Sequence, residues 1–279
     1  MLFRSQQIIG SFDGRFQSLL YTLLTGIGAI VALQMLREGI RENDYYRLGQ
    51  KPLVVGIGGD SCTGKTTFAG ALSGLFGNLS SVHLLGDDYH NWDRTSPMWR
   101  SITPLNPRAN KLFELVRDLR GLLNGGIVNV RMYNHETGRF LPAKKKKTRN
   151  IIFVSGLHAL FPNELVKEMG VCFYLEVEES LRTEWKVVRD AGKRGRSREY
   201  TIKEMERRFA DAENYIHPQA SRADVIFSLH PVNLNMINEG KNNNKLKLCV
   251  SMKSGIYYAD LTRSLIGVCG LHININKVN

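Results

Sequence analysis

Short apolar runs alternate along the chain with longer segments in which apolar residues recur every three or four positions. The short runs have the composition of buried strands and cover residues 53–58, 81–89, 150–156, 171–177 and 223–229. The longer segments have helical periodicity and cover residues 65–76, 106–126, 180–195 and 200–216. Strands that alternate with helices usually pair in parallel and are covered on both faces, so this pattern predicts an α/β fold with a mostly parallel sheet.

The pattern changes at both ends of the chain. Residues 1–50 are predicted to form a helical extension, in which the apolar stretch 21–36 has about 16 residues, fewer than the ~20 that a membrane span needs. We therefore expect a buried or partner-facing helix there, in preference to contact with a membrane. Residues 236–279 are predicted to form a polar linker and a small α+β appendage. This divides the chain into 1–50, a core domain 51–235 and 236–279, with either end a candidate for homo-oligomer formation.

Composition and charge narrow the choice of partners. The content of 43% hydrophobic and 23% charged residues is that of an ordinary soluble domain. Much of the net charge of +12 lies in residues 144–149 and 189–198, which suits nucleic acid, a membrane surface or a polyanionic small molecule. The lysine run at 142–150 has no interleaved aromatic residues, so we predict a solvated loop and no nucleic-acid partner, with a basic mouth of a site or a docking surface as alternatives. The four cysteines show neither zinc-site nor disulfide spacing, which is typical of a cytoplasmic protein; they are Cys62, Cys172, Cys249 and Cys269.

A glycine-rich segment joins the first core strand to the helix at 65–76. It matches the pattern GxxxxGK[ST] at every fixed position, from Gly59 to Thr66. In such a loop the backbone N–H groups surround the β-phosphate of a nucleotide, Lys65 bridges the β- and γ-phosphate oxygens, and the Thr66 hydroxyl is placed for Mg²⁺. The sequence therefore predicts a nucleoside triphosphate site formed by Gly59, Asp60, Ser61, Cys62, Thr63, Gly64, Lys65, Thr66 and Thr67.

The second core strand ends in acidic residues. In a parallel sheet the carboxyl ends of the strands line the ligand crevice, so Asp87 and Asp88 are expected to face the phosphate loop. A carboxylate there can take a proton from an alcohol or hold Mg²⁺, which makes Asp87 and Asp88 candidate metal ligands together with Thr66. His90 and Arg94 follow as hydrogen-bond donors suited to an anionic or polyhydroxylated acceptor. These features favour a kinase over a nucleotide switch or a motor.

Seven segments occur in the order found in the phosphoribulokinase/uridine kinase family, and the likeness runs from about residue 52 to residue 231. They are GDSCTGKTTF, DDYHNWDR, TPLNPRAN, YNHETG, GLHALF, WKVVRDAGKRGRS and IHPQASRADVIFSL. Within the family the chain resembles the phosphoribulokinases of plants and cyanobacteria, since uridine kinases usually carry an aromatic residue where this chain has His90. The resemblance implies an ATP-dependent, Mg²⁺-requiring kinase that phosphorylates a hydroxyl of a ribose-type small molecule. A pentose phosphate such as ribulose 5-phosphate is favoured over a nucleoside such as uridine.

The resemblance also implies roles for individual residues. Asp87 matches the catalytic base, and the phosphate loop supplies the catalytic Lys65. The acceptor side of the site corresponds to His90, Arg94, Tyr133 and His135. The basic helix and lid that close over the transferring phosphates correspond to Arg189, Arg194 and Arg196, of which Arg189 is assigned to catalysis and the other two to nucleotide binding.

Two positions depart from the family pattern. Ser155 ends the third core strand where the family usually has a glutamate that helps to hold Mg²⁺ or its water, so either Asp87 or Asp88 carries the metal or phosphoryl transfer is weakened. Cys62 matches a redox cysteine of chloroplast enzymes, but the region of its partner reads Leu84, Leu85 and Gly86, so redox switching is not expected. Ser155 and the extra segments at both ends motivate an alternative, a nucleotide-binding regulator or scaffold without turnover. A basic nucleic-acid-binding ATPase is a weaker third hypothesis.

Overall fold

A sheet of eight strands organises the computed structural model, which describes residues 3–9, 51–231, 246–253 and 272–276. The strands of the whole described chain are β1 (Phe3–Ile9), β2 (Leu53–Gly59), β3 (Ser81–Leu85), β4 (Ile127–Asn134), β5 (Arg139–Lys147), β6 (Ile151–Ser155), β7 (Val171–Val177), β8 (Val225–Pro231), β9 (Leu246–Lys253) and β10 (His272–Asn276). The helices are α1 (Lys65–Phe76), α2 (Met98–Ser101), α3 (Leu112–Leu123), α4 (Asn163–Val166), α5 (Glu179–Arg194) and α6 (Arg198–Asp211). The order across the large sheet is β10-β1-β9-β8-β7-β2-β6-β3, while β4 and β5 form a separate hairpin.

The five predicted core strands form the parallel part of this sheet. β2 lies between β6 and β7, β3 pairs with β6, and β8 pairs with β7, all in parallel. Successive side chains of a strand point to opposite faces, so Val55 packs with Phe68 of α1 on one face and Val54 packs with Leu115 of α3 on the other. Burial on both faces explains why these strands are continuous apolar runs. The predicted α/β fold with helices on both sides of a mostly parallel sheet is confirmed.

The two ends of the chain differ from the prediction. Residues 3–9 form a strand, where a helical extension was expected, and this strand pairs antiparallel with β9 and β10. The appendage begins with β9, which pairs antiparallel with β8 and so continues the central sheet. Its alternate residues Leu246, Leu248, Val250 and Met252 are buried in the same core as β8. The apolar stretch 21–36, the linker 238–245 and the helix expected after β9 lie outside the described residues, and the division into three domains stays a prediction.

The lysine run is also different from its prediction. Residues 139–147 form strand β5 of a hairpin with β4, so most of the expected loop at 142–150 lies in a strand, in which residues 144–147 pair with β4. Lys144, Lys145 and Lys147 are exposed, in agreement with a solvated run. Lys146 is half-buried, however, and its Nζ donates to the backbone oxygen of His83 at 2.7 Å. The hairpin is therefore fastened to the middle of β3, and Lys146 also lies 3.4 Å from Asp88 of the predicted acidic turn.

Candidate active site

The phosphate loop leaves β2 at Gly59 and enters α1 at Lys65. Gly59 has φ 137°, and a Cβ built there would lie 2.4 Å from the backbone oxygen of Leu175 on β7, so only glycine fits. Gly64 caps α1 with φ 88°, and Cys62 is the one non-glycine residue with positive φ in the described part of the chain, at 70°. The nine predicted loop residues are contiguous around this turn, with Thr66 and Thr67 exposed in the first turn of α1. Glycine at position 59 therefore allows the loop to pack directly on β7.

A buried ion pair joins the phosphate loop to α5. Asp60 Oδ2 lies 3.0 Å from Arg182 Nη1 of α5, and both side chains are less than a tenth exposed. The Asp60 backbone oxygen accepts hydrogen bonds from Thr63 Oγ1 at 2.9 Å and from Lys65 Nζ at 2.5 Å. Burial raises the pKa of the Asp60 carboxyl, but a hydrogen bond from His217, the charge of Arg182 and other donors outweigh it and hold that pKa far below its usual range. Asp60 therefore stays ionised and stabilises the loop.

One face of α5 carries charged residues that face the loop. Arg182, Lys186 and Asp190 recur at four-residue intervals and are 7%, 4% and 1% exposed. The pKa of Lys186 is lowered to about 8, mainly by burial and further by the charge of Arg208, while Asp60 opposes the shift. Sequence reasoning missed Arg182, Lys186 and Asp190, although their spacing in a helix with few apolar positions was a signal of a buried charged face.

The three predicted lid arginines meet at a single carboxylate. Asp190 lies 2.8 Å from Arg189 Nη2, 3.1 Å from Arg194 Nη1 and 3.6 Å from Arg196 Nη1. Burial raises the pKa of Asp190, and the three guanidinium groups outweigh it and lower that pKa overall. α5 ends at Gly195 with φ 61°, so the chain turns sharply and brings Arg196 back to Asp190. The basic segment is therefore an ordered cationic cluster at the end of α5.

Asp87 lies at the exit of β3 between two histidines. Its Oδ1 is 3.3 Å from His90 Nε2 and its Oδ2 is 3.3 Å from His135 Nε2. Burial raises the pKa of Asp87, whereas hydrogen bonds from His135 and His90 outweigh burial and hold the pKa well below its usual value. Asp87 also acts on Lys65: burial lowers the pKa of Lys65, and the carboxylates of Asp60 and Asp87 oppose that shift. The candidate base and the phosphate-loop lysine therefore belong to the same site.

Asp88 has a different environment from its neighbour. Its Oδ1 accepts from the backbone N–H of Tyr133 at 2.8 Å, and its Oδ2 lies 3.4 Å from Lys146 Nζ. Burial raises the pKa of the Asp88 carboxyl, and these two donors only partly oppose the shift. Asp88 thus fastens the β4–β5 hairpin to the acidic turn, and its role as a metal ligand stays a prediction.

The predicted acceptor residues surround Asp87 from the loop after β3 and from the hairpin. Arg94 Nη2 donates to the backbone oxygen of His135 at 2.9 Å, and a Cβ on Gly138 would lie 2.7 Å from Arg94 Cβ, so the arginine packs closely on the hairpin turn. The buried Tyr133 hydroxyl has no hydrogen-bond partner in the described structure. Trp99, which sequence reasoning missed, stacks on Tyr133 with ring centres 6.2 Å apart. Its only sequence signal was an isolated aromatic residue in a polar loop.

Ser155 lies at the end of the sheet where Mg²⁺ was predicted to bind. Ser155 is buried at the end of β6, directly opposite Leu85 of β3, and the backbones of Gly86 and Gly156 touch beyond them. Among the described residues, no group of three or more His, Cys, Asp or Glu side chains could hold a metal ion. Mg²⁺ in nucleotide sites is bound mainly through phosphate oxygens and water with one or two protein groups, so the exposed Thr66 hydroxyl and Asp87 fit it.

No helix in the described segments is long and apolar enough to cross a membrane.

Comparisons with known proteins show which family the chain is similar to. A model of the phosphoribulokinase/uridine kinase family matches residues 54–235. A phosphoribulokinase from Synechocystis sp. is 31% identical over 206 residues, which cover 74% of this chain and 61% of that protein. A uridine kinase from Staphylococcus epidermidis is 31% identical over 185 residues, which cover 62% of this chain and 86% of that protein. A solved phosphoribulokinase from Rhodobacter spheroides has the same fold, with TM-score 0.55 at 19% identity over 78% of this chain and 95% of that one.

The share of each chain that these matches cover determines which conclusions they support. The chain spans about three fifths of the length of the plant and cyanobacterial phosphoribulokinases that it matches. The family model nevertheless covers more than half of this chain, including the phosphate loop, the acidic turn, the hairpin and the arginines of α5. The resemblance inferred from the seven sequence segments is confirmed, and the chain belongs to the phosphoribulokinase/uridine kinase family.

Proposed function

We propose that this protein is an ATP-dependent kinase that transfers the γ-phosphate to a hydroxyl of a ribose-type small molecule. The observation that carries the proposal is the position of Asp87, which lies between two histidines and close enough to Lys65 to act on its pKa. An alcohol kinase requires a carboxylate that can take the proton of the acceptor hydroxyl, whereas a nucleotide switch orients a water molecule instead. The kinases among the matched relatives support the same assignment.

In this proposal each part of the site contributes to the transfer. The backbone of the loop from Gly59 to Gly64 binds the β-phosphate of ATP, and Lys65 spans the β- and γ-phosphates. Asp87 accepts the proton of the attacking hydroxyl. The Thr66 hydroxyl and Asp87 would hold Mg²⁺, which would neutralise charge on the phosphate oxygens. The arginines of the cluster around Asp190 turn toward the phosphates and stabilise the charge of the transition state.

For the acceptor we propose a pentose phosphate such as ribulose 5-phosphate. The acceptor side carries the guanidinium of Arg94 beside His90 and His135, and a cationic side chain suits a substrate phosphate better than an uncharged nucleoside. The names of the cyanobacterial and plant relatives point the same way. A cytoplasmic location and self-association through the terminal segments remain predictions from the sequence.

The direct test measures ADP release from MgATP with ribulose 5-phosphate, ribose 5-phosphate, uridine and cytidine as acceptors. Stimulation by one acceptor, with the phosphorylated product identified by mass, is the expected result. Tight ATP binding without stimulation by any acceptor would contradict the proposal and favour the nucleotide-binding regulator.

Arg94→Ala is expected to raise KM for the sugar phosphate about 10- to 100-fold and to leave the turnover of a nucleoside unchanged. Loss of one charge-assisted hydrogen bond accounts for a change of this size. Steady-state kinetics with both acceptors check it, and Arg139→Ala is the matched control because Arg139 is an exposed arginine at the start of β5. Equal KM values for wild type and Arg94→Ala would remove Arg94 from the acceptor site.

A further inference from the structure

Asp211, the last residue of α6, binds two side chains of the loop that connects the acidic turn to α3. Its Oδ2 accepts a hydrogen bond from Thr103 Oγ1 at 2.6 Å, and its Oδ1 accepts one from Asn106 Nδ2 at 3.1 Å. Thr103 is buried, so little water is available to replace the carboxylate as its partner. Because a carboxylate accepts at both oxygens, this one side chain fixes two points of the loop.

The residues that Asp211 holds lead directly to His90. The Asn106 side chain caps the short turn Pro107–Ala109, and its backbone oxygen accepts from Asn110 Nδ2 at 2.9 Å. Asn110 Oδ1 lies 2.7 Å from His90 Nδ1, and the backbones of these two residues form an antiparallel bridge. A continuous path of contacts therefore joins Asp211 to the side chain and the backbone of His90, through Asn106 and Asn110.

Two further contacts hold the same loop to α6 and to the turn that follows it. Arg207, one helical turn before the end of α6, donates from Nη1 to the backbone oxygen of Arg100 in α2 at 2.5 Å. α2 carries Trp99, whose ring lies edge-on to His90 with ring centres 5.1 Å apart. The π-helical turn after α6 packs on the buried Leu105. The end of α6 thus supports the loop on both sides of its contact with His90.

The start of α6 is held by a different set of contacts. Arg198 Nη1 donates to Glu184 Oε2 of α5 at 2.9 Å, and the Arg196 guanidinium lies over the Tyr200 ring, 5.1 Å from its centre. Arg196 also belongs to the arginine cluster around Asp190. α6 has 14 residues, so its two ends lie roughly 20 Å apart. The arginine cluster is therefore fixed to α5 independently of the loop that the other end of α6 holds.

We propose that Asp211 is a positioning residue, which holds Thr103 and Asn106 and thereby places His90 for the phosphate acceptor. The inference rests on the proposed function, in which His90 belongs to the acceptor side of the site. Asp211 acts through Asn106 and Asn110 and not by contact with either substrate. Because it lies at the end of α6 away from the arginine cluster, its contribution is to acceptor binding and not to nucleotide binding.

Asp211→Ala is expected to raise KM for the acceptor about 10-fold and to leave KM for ATP unchanged, since Thr103 and Asn106 lose their hydrogen-bond acceptor. Asp211→Asn is expected to restore most of the acceptor affinity, because its amide oxygen can accept from Asn106 and its amide nitrogen can donate to the Thr103 hydroxyl. Glu206→Ala, at an exposed position of the same helix, is the matched control. Steady-state kinetics with each substrate varied in turn measure both KM values.

Amide hydrogen exchange gives a readout that does not depend on turnover. The backbone N–H groups of Asn106, Ala109 and Asn110 donate within the loop, so a loosened loop exposes them. Peptides that cover residues 103–111 are expected to exchange faster in Asp211→Ala than in wild type, Asp211→Asn and Glu206→Ala, while peptides of the phosphate loop keep their rates. If Asp211→Ala does not fold, Thr103→Val, which removes one of the two hydrogen bonds, is expected to show the same changes at smaller size.

Unchanged exchange of residues 103–111, an unchanged KM for the acceptor, or an equal rise of both KM values would overturn the positioning role of Asp211. Failure of the proposed function would give a different result, a wild-type protein that phosphorylates no acceptor. In that case the exchange rates alone decide whether Asp211 orders the loop.

Discussion

Asp87→Asn is expected to lower kcat for acceptor phosphorylation about 10²- to 10⁴-fold, the range that general-base catalysis supplies. The amide has nearly the shape of the carboxylate and can still contact His90 and His135, which lie 3.3 Å from the two carboxylate oxygens. The asparagine amide cannot accept the hydroxyl proton, so the decrease in kcat reflects a slower chemical step. The measurement is steady-state kcat combined with calorimetric ATP binding, which is expected to persist because the loop from Gly59 to Lys65 is intact.

Asp93→Asn is the matched control for this substitution. Asp93 lies on the same loop, and its Oδ1 accepts from the backbone N–H of Phe140 at 2.8 Å, a hydrogen bond that an asparagine oxygen can keep. We expect activity close to that of wild type. Comparable kcat values for Asp87→Asn and Asp93→Asn would show that another group takes the proton.

Gly59→Ala is expected to abolish ATP binding and to destabilise the protein by several kcal/mol. An alanine Cβ would lie 2.4 Å from the Leu175 backbone oxygen and 2.9 Å from Thr63 Oγ1, while the backbone has a φ of 137° that L-residues rarely adopt. Strained backbone of this kind contributes about 1–3 kcal/mol by itself, and the contact with β7 adds to it because neither strand can move freely. Thermal unfolding with and without MgATP measures both effects.

Gly70→Ala separates this steric effect from the general effect of replacing a glycine. Gly70 lies inside α1, and a Cβ built there has no atom within 4 Å. Since alanine favours a helix over glycine, we expect Gly70→Ala to stabilise the protein by about 0.5–1 kcal/mol without changing ATP affinity. A Gly59→Ala protein that still binds ATP as wild type does would contradict the close packing of the loop on β7.

The parts of the site that were predictable from the sequence are those with a local pattern. The phosphate loop is a contiguous motif, and the acidic turn follows a strand whose neighbours in a parallel sheet are predictable. Arg182 and Lys186 were missed because charged residues on a helix usually face water, and only the position of α5 against the loop buries them. From the sequence Asp88 was indistinguishable from Asp87, whereas in the structure Asp88 contacts Tyr133 and Lys146 of the hairpin.

The sequence by itself determined the five parallel strands, the four long helices α1, α3, α5 and α6, and the nucleotide loop, because apolar periodicity and glycine placement act over a few residues. Only the tertiary structure decided that residues 139–147 form a strand and that β1, β9 and β10 extend the central sheet. Strand pairing depends on a partner far away in the chain, and a polar or mixed segment carries little sign of which partner it will meet. The same holds for the contact between His90 Nδ1 and Asn110 Oδ1, 2.7 Å apart, since the two residues are twenty positions apart in the chain.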